Sequence, residues 1–310
     1  MFWDDKNVLV TGGHGFLGKQ LIDLLKEKNP KKLFVPSHEE LDLTKLENCK
    51  KAVEGMDIVI HLAGKVGGIG FNQGKPAEVF YDNLVMGVQL MEEARKANVK
   101  KFVALATVCS YPKVTPAPFK EEDLWNGYPE ETNAPYGLAK KMLIVQAQAY
   151  RQQYDYSAIS LLPANLYGPR DNFDLNSSHA IPAIIRKVLE AKKKGENKIT
   201  LWGDGSATRD FLYVKDAANG ILLATEKYDK PDPVNIGTGR EISIKELAEL
   251  ICKLCDFNGT IEWDTSKPNG QMKRHLNIEK AKAEFGFQPE VPLEEGLKNT
   301  IDWYRNQSGI

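Results

Sequence analysis

Near its start the chain reads Val8-Leu9-Val10-Thr11-Gly12-Gly13-His14-Gly15-Phe16-Leu17-Gly18, an apolar run that ends in glycines and then turns helix-forming. Gly12, Gly15 and Gly18 have the spacing G-x-x-G-x-x-G. Glycine there permits a tight turn and lets backbone approach a pyrophosphate at a helix N-terminus, where the peptide dipoles favour negative charge. A strand before and a helix after are the context that such a loop requires. An ordinary glycine-rich turn is the weaker reading. The segment therefore predicts the first βα unit of a parallel sheet and points to a nicotinamide dinucleotide.

A second signal lies in Asn133-Ala134-Pro135-Tyr136-Gly137-Leu138-Ala139-Lys140. Residues four apart on a helix share a face, so Tyr136 and Lys140 project together. A phenol titrates near ~10 and is a poor acid-base group at neutral pH. The expectation is that the Lys140 ammonium favours the Tyr136 phenolate and tunes it for proton exchange with a carbonyl during hydride transfer.

Apolar strands alternate with helices along the first half. Strands are predicted over 6–11, 32–35, 57–63, 101–106 and 157–162, and helices over 16–28, 46–53, 76–97 and 136–154. That alternation predicts a Rossmann-type doubly wound parallel sheet, with helices on both faces. After residue 168 the pattern becomes turn-rich and mixed, with helices at 181–194, 243–254 and 293–305 and strands at 199–202 and 210–214. The strand at 233–237 is expected to return to the main sheet. The domain reading is thus 1–168 as the dinucleotide-binding domain, with a return near 210–240, and 169–310 as mainly a smaller mixed α/β substrate-binding lobe.

Composition narrows the function. A net charge of −1 gives no basic field for nucleic acid, so an anionic substrate needs a local cationic pocket. No apolar run approaches the ~20 residues that span a bilayer, and the start carries no signal-peptide pattern. The four cysteines, Cys49, Cys109, Cys252 and Cys255, do not form a disulfide framework, and a reducing cytoplasm is the simplest setting. Cys252 and Cys255 form a C-x-x-C, but no second ligand pair follows at metal-site spacing, and buried helix positions are the better reading. No metal is predicted. Lys192 to Lys194 read as a solvated helix end.

After the second strand the chain gives Val35-Pro36-Ser37-His38-Glu39-Glu40. An acid there would bond an unphosphorylated ribose and an arginine a 2′-phosphate, and Pro36 and Ser37 signal neither. Ser37 and His38 either bond a phosphate or form a cap or loop. Leu62, Ala63 and Gly64 let backbone approach the adenosine, or simply turn the chain.

Several further stretches carry a resemblance. They are Lys65 to Ile69 with Asn72 and Pro76, Thr107 to Lys113, Pro163 to Pro169, Ser178 to Pro182, Trp202 to Gly205, Arg209 to Leu212 and Lys267 to Gly270. With the glycine loop and the Tyr/Lys pair, they resemble the extended short-chain dehydrogenase/reductase family, and within it the GDP-L-fucose synthases (GDP-4-keto-6-deoxy-D-mannose epimerase-reductases), over nearly the whole length.

The resemblance implies NADP(H), with NAD(H) as the alternative, and a GDP-sugar substrate. Gly12, Gly15, Phe16, Leu17, Gly18, Ser37, His38, Leu62, Ala63, Lys140, Pro163, Asn165, Leu166 and His179 would hold the cofactor. Cys109 and His179 would be an epimerising acid-base pair, residue types that exchange protons near neutrality when tuned. Tyr136 would protonate the C4 oxygen, and Thr107 would hydrogen-bond it. Asn165, Lys187, Trp202, Arg209 and Asn277 would contact the nucleotide sugar. Taken singly, Cys109 is a small core residue, His179 a surface residue, Asn165 a turn cap, Lys187 a solvated lysine, Trp202 a core indole and Arg209 an ion-pair partner.

Departures surround the substrate positions. Thr107 stands for serine and keeps the hydroxyl, Val108 and Ser110 differ, Gly137 stands for alanine, and Asn277 for aspartate. By the same resemblance the two long helices form a homodimer seam. Two other readings stand beside this one: a nucleotide-sugar 4-epimerase or GDP-heptose dehydrogenase/reductase with retained NAD(H), and a dinucleotide-binding regulator without turnover. The regulator has no need of Thr107, Tyr136 and Lys140 together.

Overall fold

The structure is a computed structural model. It describes residues 2–267 and 269–309 and, at Ile69, the backbone alone. Met1 and Pro268, the latter part of the loop singled out above, lie outside the described residues.

The chain runs β1 (Asn7–Thr11), α1 (Phe16–Glu27), β2 (Lys32–Phe34), α2 (Leu46–Val53), β3 (Ile58–His61), α3 (Ile69–Gly74), α4 (Pro76–Lys96) and β4 (Lys101–Leu105). Two 3-10 turns precede α5 (Ala134–Tyr154), β5 (Ala158–Pro163) and β6 (Asn165–Tyr167). Next come α6 (Ala180–Lys194), β7 (Lys198–Trp202), β8 (Thr208–Arg209), β9 (Phe211–Tyr213), α7 (Val214–Lys227) and β10 (Val234–Ile236). The last elements are β11 (Ile242–Ser243), α8 (Ile244–Leu254), β12 (Thr260–Asp264), β13 (Lys273–Arg274), α9 (Glu279–Phe285) and α10 (Leu293–Ser308).

Six strands form one parallel sheet in the order β10-β5-β4-β3-β1-β2. Successive strand side chains point to opposite faces. Val8, Val10, Ile58 and Ile60 therefore pack with Leu21 and Leu25 of α1 and Ala217 and Ile221 of α7. Leu9 and Val59 pack on the other face with Leu90 of α4 and Leu143 of α5. Burial on both faces is why these strands read as unbroken apolar runs. A separate core joins Ile184, Val188, Leu247, Ile251, Leu297 and Ile301 around the β7–β12 pair.

Differences from expectation concern short elements and one long helix, the 14-residue α7. α3, β6, β8, α7, β11, β12, β13 and α9 were not foreseen. The apolar run near 210 is a strand only to Tyr213, because Val214 already opens α7. Two- and three-residue strands show too few alternations to register as a period. α5 begins before Tyr136, since Pro135 is tolerated in a first turn. Among the described residues no helix is long and apolar enough to cross a membrane.

Chain order reverses between β1 and β3, which lie side by side although β2 intervenes in sequence. In open α/β sheets ligands bind beyond the strand C-termini at such a switch point. Thr11 and His61 end these two strands and are joined by a 2.8 Å Oγ1–Nδ1 hydrogen bond.

Candidate active site

The glycine turn sits at that switch point. Gly12 has φ +70°, and a Cβ on it would lie 2.6 Å from the Ala63 nitrogen, so only glycine fits between β1 and the end of β3. A Cβ on Gly18 would fall 2.2 Å from the Gly12 carbonyl oxygen. Gly15 is the N-cap of α1 and offers no side-chain cap, which leaves the helix N–H groups free for an anion.

Two cavities meet here. One of about 510 Å³ is walled by Pro36, Ser37, His38 and Glu39, the other of about 360 Å³ by Thr107, Cys109, Tyr136 and His179. They share Gly12, Gly15, Ala63 and Gly64, so a single groove passes over the glycine turn. Phe16, Leu17, Gly18, Leu62, Pro163, Asn165 and Leu166 also line the second cavity. A groove with an uncapped helix N-terminus at its centre and an apolar wall at one end fits a nicotinamide dinucleotide.

The reactive end is built from β4 and α5. Thr107 follows β4, and its Oγ1 accepts the Cys109 N–H at 3.2 Å, opening a 3-10 turn over Val108–Ser110. Ser110 Oγ donates to the Gly137 carbonyl at 2.9 Å, which ties that turn to the first turn of α5. The Tyr136 phenol faces the Thr107 side chain across the same cavity. Thus one threonine hydroxyl addresses both the phenol and the backbone that carries the thiol.

The expected lowering of Tyr136 by Lys140 is not what the structure has. Burial, and then the charge of Cys109, hold the phenol above its ordinary range, with the Thr107 side chain pulling the other way. Lys140 is buried and donates from Nζ to the Ala63 carbonyl at 3.0 Å, and burial lowers its ammonium to about 8. Tyr136 is accordingly a phenol at neutral pH, the form that gives a proton. His179 is the N-cap residue of α6 and opens to the cleft. Desolvation by the surrounding protein, and then the Arg274 charge, lower its imidazole.

Of the other predicted residues, Asn165 and Ser37 line the groove, whereas Arg209, Lys187, Trp202 and Asn277 stand off its walls. Asn165 donates from Nδ2 to the Asp210 carbonyl at 3.0 Å at the cavity wall. Arg209 donates to the carbonyls of Thr208 and Gln271 at 2.7 and 2.6 Å and lines a neighbouring cavity of about 540 Å³. Burial and the nearby Arg274 lower it to about 9, which leaves it cationic at neutrality. Lys187 and Trp202 stand on α6 and β7, off the walls of the reactive cavity. Lys187 Nζ donates to the Thr200 carbonyl at 2.8 Å, and Trp202 is 52% exposed beneath the Lys267 ammonium.

Asn277 is not brought to the site. Its Oδ1 accepts the Glu279 N–H at 3.0 Å where α9 begins, and it lines a separate cavity with Trp125 and Lys280. Ser37 caps its own turn, exchanging hydrogen bonds with Glu40 at 2.7 and 3.2 Å, and still lines the groove. Residues given no site role from the sequence also stand at the groove. His14 lines its adenosine end, Asn72 and Asn133 its reactive end, and Arg274 contacts Cys109. Asn72 and Asn133 lay within quoted segments, whereas Arg274 sits on a two-residue strand with no pattern to announce it.

The model of the NAD dependent epimerase/dehydratase family matches residues 8–237. The chain belongs to this family. It is the same extended short-chain dehydrogenase/reductase group that the motifs resembled. A GDP-L-fucose synthase from Sinorhizobium fredii is 41% identical over 301 residues, covering 96% of this chain and 95% of the relative. GDP-L-fucose synthase 1 of Arabidopsis thaliana is 38% identical, covering 96% and 92%. Among solved structures, a GDP-L-fucose synthetase from Naegleria fowleri bound to NADP superposes with a TM-score of 0.87 at 29% identity, covering 99% and 96%. A GDP-6-OMe-4-keto-L-xylo-heptose reductase from C. jejuni superposes with a TM-score of 0.91 at 26% identity, covering 98% and 99%. This family member thus pairs a family-wide dinucleotide groove with a thiol and an imidazole at its reactive end.

Proposed function

We propose that the chain epimerises C3 and C5 and reduces C4 of GDP-4-keto-6-deoxymannose, with NADPH as reductant, as a GDP-L-fucose synthase does. One observation carries this reading: Thr107, Cys109, Tyr136 and His179 line one cavity that opens onto the dinucleotide groove. The relatives' names and the NADP in the Naegleria fowleri structure support it.

The C4 ketone acidifies the hydrogens on its two neighbouring carbons. Cys109 as thiolate removes one: the C–H bond breaks, an S–H bond forms, and the electron pair moves onto the ketone oxygen as an enolate. His179, as its imidazolium, returns a proton to the opposite face as the electron pair moves back from oxygen to carbon. The Cys109 thiol then loses its proton, and the neutral imidazole regains one, through solvent before the same steps run at the second carbon. Tyr136 and Thr107 hydrogen-bond the C4 oxygen and stabilise the charge that develops there. A reduced nicotinamide, when bound in the groove, would supply the hydride to C4. Tyr136, protonated at neutral pH, then donates its proton to the new C4 alkoxide. Gly12, Gly15 and the α1 N-terminus would hold the pyrophosphate, Lys140 the nicotinamide ribose, and Arg209, Lys187 and Trp202 the GDP.

The test is incubation with GDP-4-keto-6-deoxymannose and each reduced cofactor in heavy water, with products identified by NMR. Deuterium at C3 and C5 together with NADPH oxidation is expected. An inert mixture would overturn the reading. Reduction of a GDP-4-keto-heptose without epimerisation is a second reading, favoured by the fit to the C. jejuni reductase. Product without deuterium would select it.

Assembly and location belong to the same proposal. α4 and α5 pack together and expose Phe80, Tyr81, Val145 and Tyr154, which supports a homodimer through these helices. Four free cysteines suit a reducing cytoplasm. Sedimentation of a single 34.7 kDa species would remove the dimer.

A further inference from the structure

Cys109 faces a buried cation. Arg274 is 7% exposed, and its Nη1 lies 3.5 Å from Cys109 Sγ. β13 pairs with β8 in parallel, so Arg274 stands beside Arg209. A single side chain ties the guanidinium to the thiol loop. Gln271 accepts from Arg274 Nε at 3.0 Å and donates to the carbonyls of Pro112 and Lys113 at 3.2 and 2.9 Å, just past Cys109. Among the described residues no carboxylate makes an ion pair with Arg274. A buried guanidinium needs a compensating charge, and a thiolate at that distance supplies one.

We propose that Arg274 is a positioning residue for Cys109, its guanidinium holding the sulfur as a thiolate aimed into the reactive cavity. This rests on the reading of Cys109 as the base. Charge-assisted hydrogen bonds are the strong ones, and thiolates gather beside arginine. The same charge lowers the His179 imidazole, which makes its imidazolium the stronger acid on the opposite wall. The other titratable groups around the thiol are Arg209, Tyr136 and His179, with Glu130 acting on Arg209.

The test uses the full-length protein and the pH-dependence of Cys109 alkylation by iodoacetamide, followed by peptide mass spectrometry. Cys49, Cys252 and Cys255 are buried and serve as internal controls. In Arg274→Gln, alkylation at pH 7 is expected to slow by about tenfold and its pH profile to move upward. Arg274→Lys keeps a cation and is expected to recover most of the rate. Gln271→Leu cuts only the tie and should slow alkylation by about two- to fivefold, so the measurement survives a poorly folded Arg274→Gln. A wild-type profile in Arg274→Gln or Gln271→Leu, or no recovery in Arg274→Lys, would overturn the proposal. Proton exchange into the sugar that persists in Cys109→Ser would instead overturn the reading of Cys109 as base, and leave the alkylation result to judge Arg274 alone.

Discussion

A Cβ on Gly137 would lie 2.2 Å from the carbonyl oxygen of Cys109. The residue after Tyr136 must therefore be glycine in this chain, because the thiol-bearing turn rests against the first turn of α5. Gly137→Ala is expected to push that turn away, lowering turnover by about 100-fold at a stability cost of about 1–3 kcal/mol. Cofactor affinity, set by the glycine turn on β1, should change little. Steady-state kinetics and cofactor titration by fluorescence separate the two effects.

Tyr136→Phe removes the proposed proton donor and leaves the thiol in place. Reduction is expected to fall by about 10²–10⁴-fold, while deuterium still enters the sugar at a substantial rate. Equal loss of both would mean that one group serves both steps. Thr107→Ser should stay within about threefold of wild type, since the hydroxyl that meets Tyr136 and the Cys109 N–H survives.

Lys140 carries its charge in a buried place. The folded ammonium sits at about 8, below its ordinary value. Between that point and the unfolded value near ~10.4 the native state binds fewer protons than the unfolded chain, so wild-type stability climbs as pH rises through this window. Lys140→Met is expected to be more stable than wild type at pH 7 by on the order of 1–3 kcal/mol, offset in part by the lost bond to Ala63, with the advantage fading by about pH 10. Urea melts at pH 7 and 10 test this. Cofactor affinity should drop in the same variant.

Asp171 shows the opposite sign. Burial pushes its carboxyl up to about 7, and although Oδ1 accepts the Asn172 N–H at 2.7 Å, Oδ2 has no partner. The native state binds the extra proton between the unfolded value near ~3.9 and about 7, so stability is lost as pH rises through that range. Asp171→Asn is expected to stabilise the protein by on the order of 1–2 kcal/mol at pH 8, reduced for its partial exposure, and to change little near pH 4. Denaturation at the two pH values decides it.

Local pattern determined much of this protein. Unbroken apolar strands at 6–11, 57–63 and 101–106 and the glycine spacing carry the parallel sheet and its groove, because burial on both faces and a tight turn leave direct marks on neighbouring residues. The segments around Tyr136, Cys109 and His179 marked them as candidates, and the fold sets all three on one cavity wall. Tertiary structure alone decided what those groups meet. It turned Lys140 toward Ala63 rather than toward lowering the Tyr136 phenol, made Ser37 a cap, and moved Asn277 to the start of α9. It also set Arg274 against Cys109 across 165 residues of chain. Distances and burial between residues far apart in sequence set charge states, and no spacing along the chain encodes them.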